Sequence, residues 1–125
     1  MFIKYNANPV KNIVGDCVIR AVSKAMNNDW ETVYLEIAML GLLMHDMPTS
    51  NNVWETYLWK NGFRRFNIPN MCPDCYTVRD FCLDNPEGTF VLGTGSHAIA
   101  IIDGDYYDTW DSGEETPIYC FRKEY

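Results

Sequence analysis

Basic residues are scarce in this sequence: ten Lys and Arg stand against 17 Asp and Glu, for a formal net charge of -7. A chain so acidic repels phosphate backbones, so nucleic acid is not an expected partner. Long apolar runs are missing too. No stretch approaches the about 18 consecutive apolar residues of a membrane span. The opening Met1-Phe2-Ile3-Lys4-Tyr5-Asn6 lacks the basic and long apolar regions of an export signal, so no membrane partner is expected and the cytoplasm is the expected compartment. Internal repeats and low-complexity tracts are absent as well. Charged residues make up only 22% of the chain against 47% hydrophobic, which excludes disorder by composition and predicts one globular domain over residues 1–125. Histidine is limited to two residues, His45 and His97, so any imidazole chemistry must come from one of them.

Cysteine is not lacking. Five occur, at 17, 72, 75, 82 and 120, a number that cannot all pair within one chain. In a reducing compartment they are expected as thiols, metal ligands or core residues.

The first half of the chain has helical periodicity. Apolar residues 18, 21, 22, 25 and 26 recur at helical spacing after Asp16, a suitable N-cap that places Cys17 in the first turn. Asn28 with Glu31 predicts a capping box for a helix from 29 to 43. Ser50 caps a third helix through Val53, Trp54, Tyr57 and Leu58, and Gly62 stops it. A strand is predicted at 63–68 and a short helix after the capping box Thr77/Asp80. The period then changes to strands at 89–94, 97–102, 106–111 and 118–122, joined as consecutive antiparallel hairpins. Helices first and a sheet afterwards is the α+β pattern.

Cys17 is the first candidate for chemistry. A thiol becomes a strong nucleophile when ionised, and a helix N-terminus with a nearby imidazolium favours the thiolate. His45 lies in a polar stretch at a helix end, whereas His97 opens an apolar strand after Gly93-Thr94-Gly95-Ser96, where a base faces a cleft. An acid on the neighbouring strand is expected to orient the imidazole, and register selects it. A three-residue loop at 103–105 pairs Ile102 with Tyr106, so paired numbers sum to 208 and Asp111 faces His97 (208 - 97 = 111). A two-residue loop at 103–104 gives 207 and brings Asp108 onto the histidine's face, diagonally displaced. Asp111 is the preferred acid and Asp108 the alternative.

Gly15-Asp16-Cys17 at a helix start, then His97-Ala98-Ile99-Ala100-Ile101-Ile102, a short turn and Asp111-Ser112 resembles the papain-like cysteine peptidase superfamily. The resemblance covers residues 8–35 and 88–112. It is closest to small papain-like proteins of phages and gut bacteria and to leader-peptide peptidases. It implies a papain-like fold in which Cys17 opens the central helix and the strand beginning with His97 pairs with one ending in the acid. It further implies hydrolysis of a peptide or isopeptide bond by a Cys17-His97-Asp111 triad, with a peptide or protein substrate and no cofactor. The superfamily places a Gln about six residues before the Cys to polarise the substrate carbonyl. Position 11 is Lys here, so Asn12 is the expected oxyanion donor beside the Cys17 N–H.

Two other functions fit the same residues. The missing Gln suits an inert papain-like binding or inhibitory module. Cys72-Pro73-Asp74-Cys75 has zinc-knuckle spacing and suits a small zinc-dependent interaction domain, though Cys72 and Cys75 need two more ligands from Cys82, Cys120 and His45. Arg20, one helical turn after Cys17, is expected in a salt bridge. The aromatic cluster Trp54, Tyr57 and Trp59 is expected on a core-facing helix, with exposure of Trp59 the alternative.

Overall fold

The computed structural model describes residues 1–69 and 75–124. Its elements in chain order are β1 (Phe2–Lys4), α1 (Cys17–Met26), α2 (Trp30–Met44), α3 (Asn51–Lys60), β2 (Phe63–Asn67), α4 (Val78–Asp84), β3 (Thr89–Gly93), β4 (Ala98–Ile102), β5 (Asp105–Asp108) and β6 (Tyr119–Lys123). The fold is α+β, with one six-stranded mixed sheet in the order β1-β5-β4-β3-β6-β2.

Local signals explain most of the helices. Thr77 and Asp80 form the expected capping box at α4. The cap of α2 is Asp29 instead of Asn28, because the Asp29 carboxylate accepts from the Thr32 N–H at 2.7 Å. Asp16 precedes α1 but makes no side-chain capping bond. Its carboxylate is drawn instead to the buried guanidinium of Arg20, 2.6 Å away. α2 is apolar on nearly every side: Val33, Ile37 and Gly41 are buried, while Leu35, Met39, Leu42 and Leu43 remain exposed.

The sheet departs from the expected run of antiparallel hairpins in two places. β6 crosses over to pair with β3 and β2, not with β5, and β1 joins β5 in parallel. The sheet is therefore mixed.

Both faces of its centre are covered. Val91, Ala98, Ala100, Tyr119 and Phe121 pack under α1, α2 and α3, whereas Phe90, Leu92, Ile99, Ile101 and Cys120 pack with Val78, Phe81 and Cys82 of α4. Alternate residues of β3 and β4 thus enter different cores, and this is why both strands read as continuous apolar runs. Trp54 and Tyr57 face the first core as expected, whereas Trp59 takes the alternative and is exposed. Among the described residues no helix is long and apolar enough to cross a membrane.

The turn from β4 to β5 has two residues. Asp103 and Gly104 both take positive φ, 49° and 80°, and Ile102 pairs with Asp105, so paired numbers sum to 207. Two successive left-handed residues are the I′ geometry that matches strand twist and that Asp-Gly favours. The expected three-residue loop is corrected here, with consequences for the acid.

Candidate active site

Cys17 is the first residue of α1, so its sulfur sits at the positive end of the helix dipole. α1 lies across β4, and the Ala98 N–H at the start of that strand lies within hydrogen-bonding reach of the sulfur. His97 immediately precedes β4. It is placed by a tight turn in which the Thr94 N–H donates to the His97 carbonyl at 3.0 Å, with Gly95 at φ 99°. Cys17 and His97 share one cleft and each shifts the other's pKa. A cleft of about 240 Å³ opens above them, walled by Gly15, Thr49, Asn51, Trp54, Ser96 and Tyr119.

The acid beside the histidine is Asp108. Its Oδ2 lies 2.6 Å from His97 Nε2, which leaves Nδ1 for the thiol. Asp108 ends β5 and is fully buried, and every direction of approach is used. Arg20 donates to Oδ1 at 2.8 Å, the Thr109 N–H to Oδ1 at 2.8 Å, and the Ser112 hydroxyl to Oδ2 at 2.7 Å. Asp111, the preferred acid from sequence, points elsewhere. β5 stops at Asp108, and Asp111 accepts from the Tyr106 hydroxyl and from Arg79 in the following turn. The Trp110 ring lies against the imidazole, with centroids 5.3 Å apart and planes tilted by 31°.

Arg20 forms the expected salt bridge, but it joins two buried carboxylates. Asp16 Oδ1 accepts from it at 2.6 Å, and Asp16 Oδ2 accepts from the Trp30 indole at 2.9 Å. A continuous polar chain therefore runs Trp30, Asp16, Arg20, Asp108, His97, Cys17. Sequence reasoning left Asp16 as a cap and missed this chain, whose one local signal is the i, i+4 spacing of Asp16 and Arg20.

Electrostatics follow from these contacts. Burial pushes the Cys17 thiol up, but the hydrogen bonds from His97 and the Ala98 N–H, with the charges of His97 and Arg20, outweigh it and hold the thiol below its ordinary value. Burial pulls His97 down, but Asp108 and Cys17 outweigh it and raise the imidazole to about 9. Asp108 is pushed up by burial and held below the usual carboxylate range by His97 and Ser112. All three shifts favour a thiolate-imidazolium pair beside an ionised carboxylate.

The remaining sequence candidates lie outside this cluster. Asn12 is exposed and does not line the cleft, because its loop is tied to Asn6 and Asn8: its carbonyl accepts from the Asn6 amide and its N–H donates to Asn8. It is not the oxyanion donor in this geometry. His45 caps the far end of α2 in the left-handed conformation. Cys72 lies outside the described residues. Cys75 is disulfide-bonded, which removes it as a thiolate ligand, while Cys17, Cys82 and Cys120 are free thiols. Among the described residues no cluster of three His, Cys, Asp or Glu is arranged to hold a metal ion.

No protein-family model, curated protein or solved structure matches this chain significantly.

Proposed function

We propose that the chain is a small cysteine hydrolase of papain-like design that transfers the acyl group of a peptide or isopeptide bond to Cys17 and then to water. The observation that carries this reading is the buried Asp108 carboxylate 2.6 Å from His97, with His97 and Cys17 side by side in one cleft. The Cys17 thiolate attacks the carbonyl carbon. The C–N bond then breaks as His97 gives its proton to the leaving nitrogen, and water, activated by the neutral imidazole, releases the acid. Asp108 keeps Nε2 protonated and fixes the orientation of the ring. A peptide fits the cleft because its walls are uncharged apart from the paired Asp16 and the reacting groups.

The test is release of p-nitrophenolate from p-nitrophenyl acetate by wild type, Cys17→Ser and His97→Ala. Loss of release in both variants supports the reading. Equal release by Cys17→Ser overturns it and leaves the inert binding module as the better account.

A further inference from the structure

Tyr119 starts β6 and is 94% buried (6% exposed). Its ring is explained by packing: Trp54 and Phe121 lie with centroids 6.2 and 5.8 Å away, and the Arg65 guanidinium stacks 4.5 Å from its centroid. Phe would serve that packing as well. The hydroxyl is not explained. Among the described residues it has no hydrogen-bond partner. No enclosed side-chain oxygen or nitrogen is left unpaired among the described residues, so this hydroxyl is open to something, and the residue lines the cleft above Cys17.

The direction of the ring follows from Gly93. Tyr119 pairs with Gly93 across β6 and β3, and Gly93 pairs with Ala98 across β3 and β4. A Cβ on Gly93 would lie 2.2 Å from the Tyr119 ring and 2.6 Å from its hydroxyl oxygen. The phenol therefore occupies the space a side chain would take. It lies across the sheet from β6 over β3 toward Ala98, the residue whose N–H faces the Cys17 sulfur. Asn12 is absent from the cleft, and no other uncommitted side-chain donor is so deeply buried there.

We infer that the Tyr119 hydroxyl is a catalytic residue, the side-chain donor to the oxyanion formed when Cys17 attacks a carbonyl. This rests on the acyl-transfer reading above. As the S–C bond forms, the C=O electron pair moves to oxygen, and Tyr119 donates a hydrogen bond to that oxygen without giving up its proton. When the carbonyl re-forms, the leaving group departs and Tyr119 returns to its starting state. Burial, the Glu55 carboxylate and the Cys17 charge raise its pKa, so the proton is present throughout the working range. The N–H groups at the start of α1, which Asp16 does not cap, are the natural second donors.

Tyr119→Phe keeps the ring and removes the donor. Two rates are measured on it: acylation by p-nitrophenyl acetate, which passes through an oxyanion, and alkylation by iodoacetamide, a displacement at carbon that does not. Acylation is expected to fall about 100-fold, the usual loss for one oxyanion donor. Alkylation is expected to stay within about twofold, which also reports that the site is folded. Acylation near the wild-type rate, where that rate depends on Cys17, overturns the role of Tyr119 and leaves the hydrolase reading standing. Equal losses in both reactions overturn it too, since Tyr119 would then act on the thiolate. Absence of Cys17-dependent acylation in wild type overturns the hydrolase reading and this role with it.

Discussion

His97 Nε2 and Asp108 Oδ2 lie 2.6 Å apart, although His97 only precedes β4 and Asp108 closes β5. Trp110 lies beside them, its ring centroid 5.3 Å from that of the imidazole. The carboxylate is fully buried, so its charge acts on His97 with little screening by water.

Asp108→Asn is expected to slow iodoacetamide alkylation of Cys17 near pH 7 by about tenfold, the equivalent of one pK unit of lost ion-pair stabilisation. Asp111→Asn is expected to stay within about twofold, because its partners are Tyr106 and the exposed Arg79. A larger loss in Asp111→Asn would return the acid to the three-residue register.

Alkylation at limiting reagent should mark Cys17 ahead of Cys82 and Cys120. Burial pushes both of those thiols up to about 11, whereas Cys17 is held below its ordinary value. Peptide mapping by mass spectrometry checks the order, and first modification of Cys82 or Cys120 would contradict the site.

Acyl transfer by the proposed Cys17–His97 pair is expected to show two pH limbs. Activity rises as pH climbs through the lowered pKa of Cys17, and it falls as His97 loses its proton near pH 9. His97 contributes stability that is complete below its unfolded value near 6.5 and is lost as pH rises through about 9. Urea midpoints at pH 7 and pH 10 should therefore show a decrease that His97→Gln reduces.

Arg20→Leu should cost about 3–5 kcal/mol in urea denaturation, because it leaves Asp16 and Asp108 buried without their shared cation. Gly93→Ala should cost about 1–3 kcal/mol by overpacking, since the added methyl meets the Tyr119 ring. Unchanged midpoints would show that the ring or the carboxylates have room to move.

Much of this was legible in local sequence. The start of α1 at Cys17, the Thr77/Asp80 capping box and the apolar runs of β3 and β4 depend on neighbours a few residues apart. The choice of acid was missed although a local signal existed: Asp103-Gly104 is a strong two-residue hairpin signal, and it sets the register that selects Asp108. The pairing of β1 with β5, the crossover of β6 and the arrival of Tyr119 beside Cys17 are contacts between distant segments that no periodicity encodes. Asp16 misled for a physical reason, since its capping geometry gave way to a buried cation.

β6 occupies the slot between β3 and β2 and carries the tyrosine that walls the cleft. The pairing of β2 with β6 joins distant segments of the chain, Phe63 with Lys123 at one end and Asn67 with Tyr119 at the other, so closing this side of the sheet carries a loop-closure cost that the local β3–β4 and β4–β5 hairpins do not.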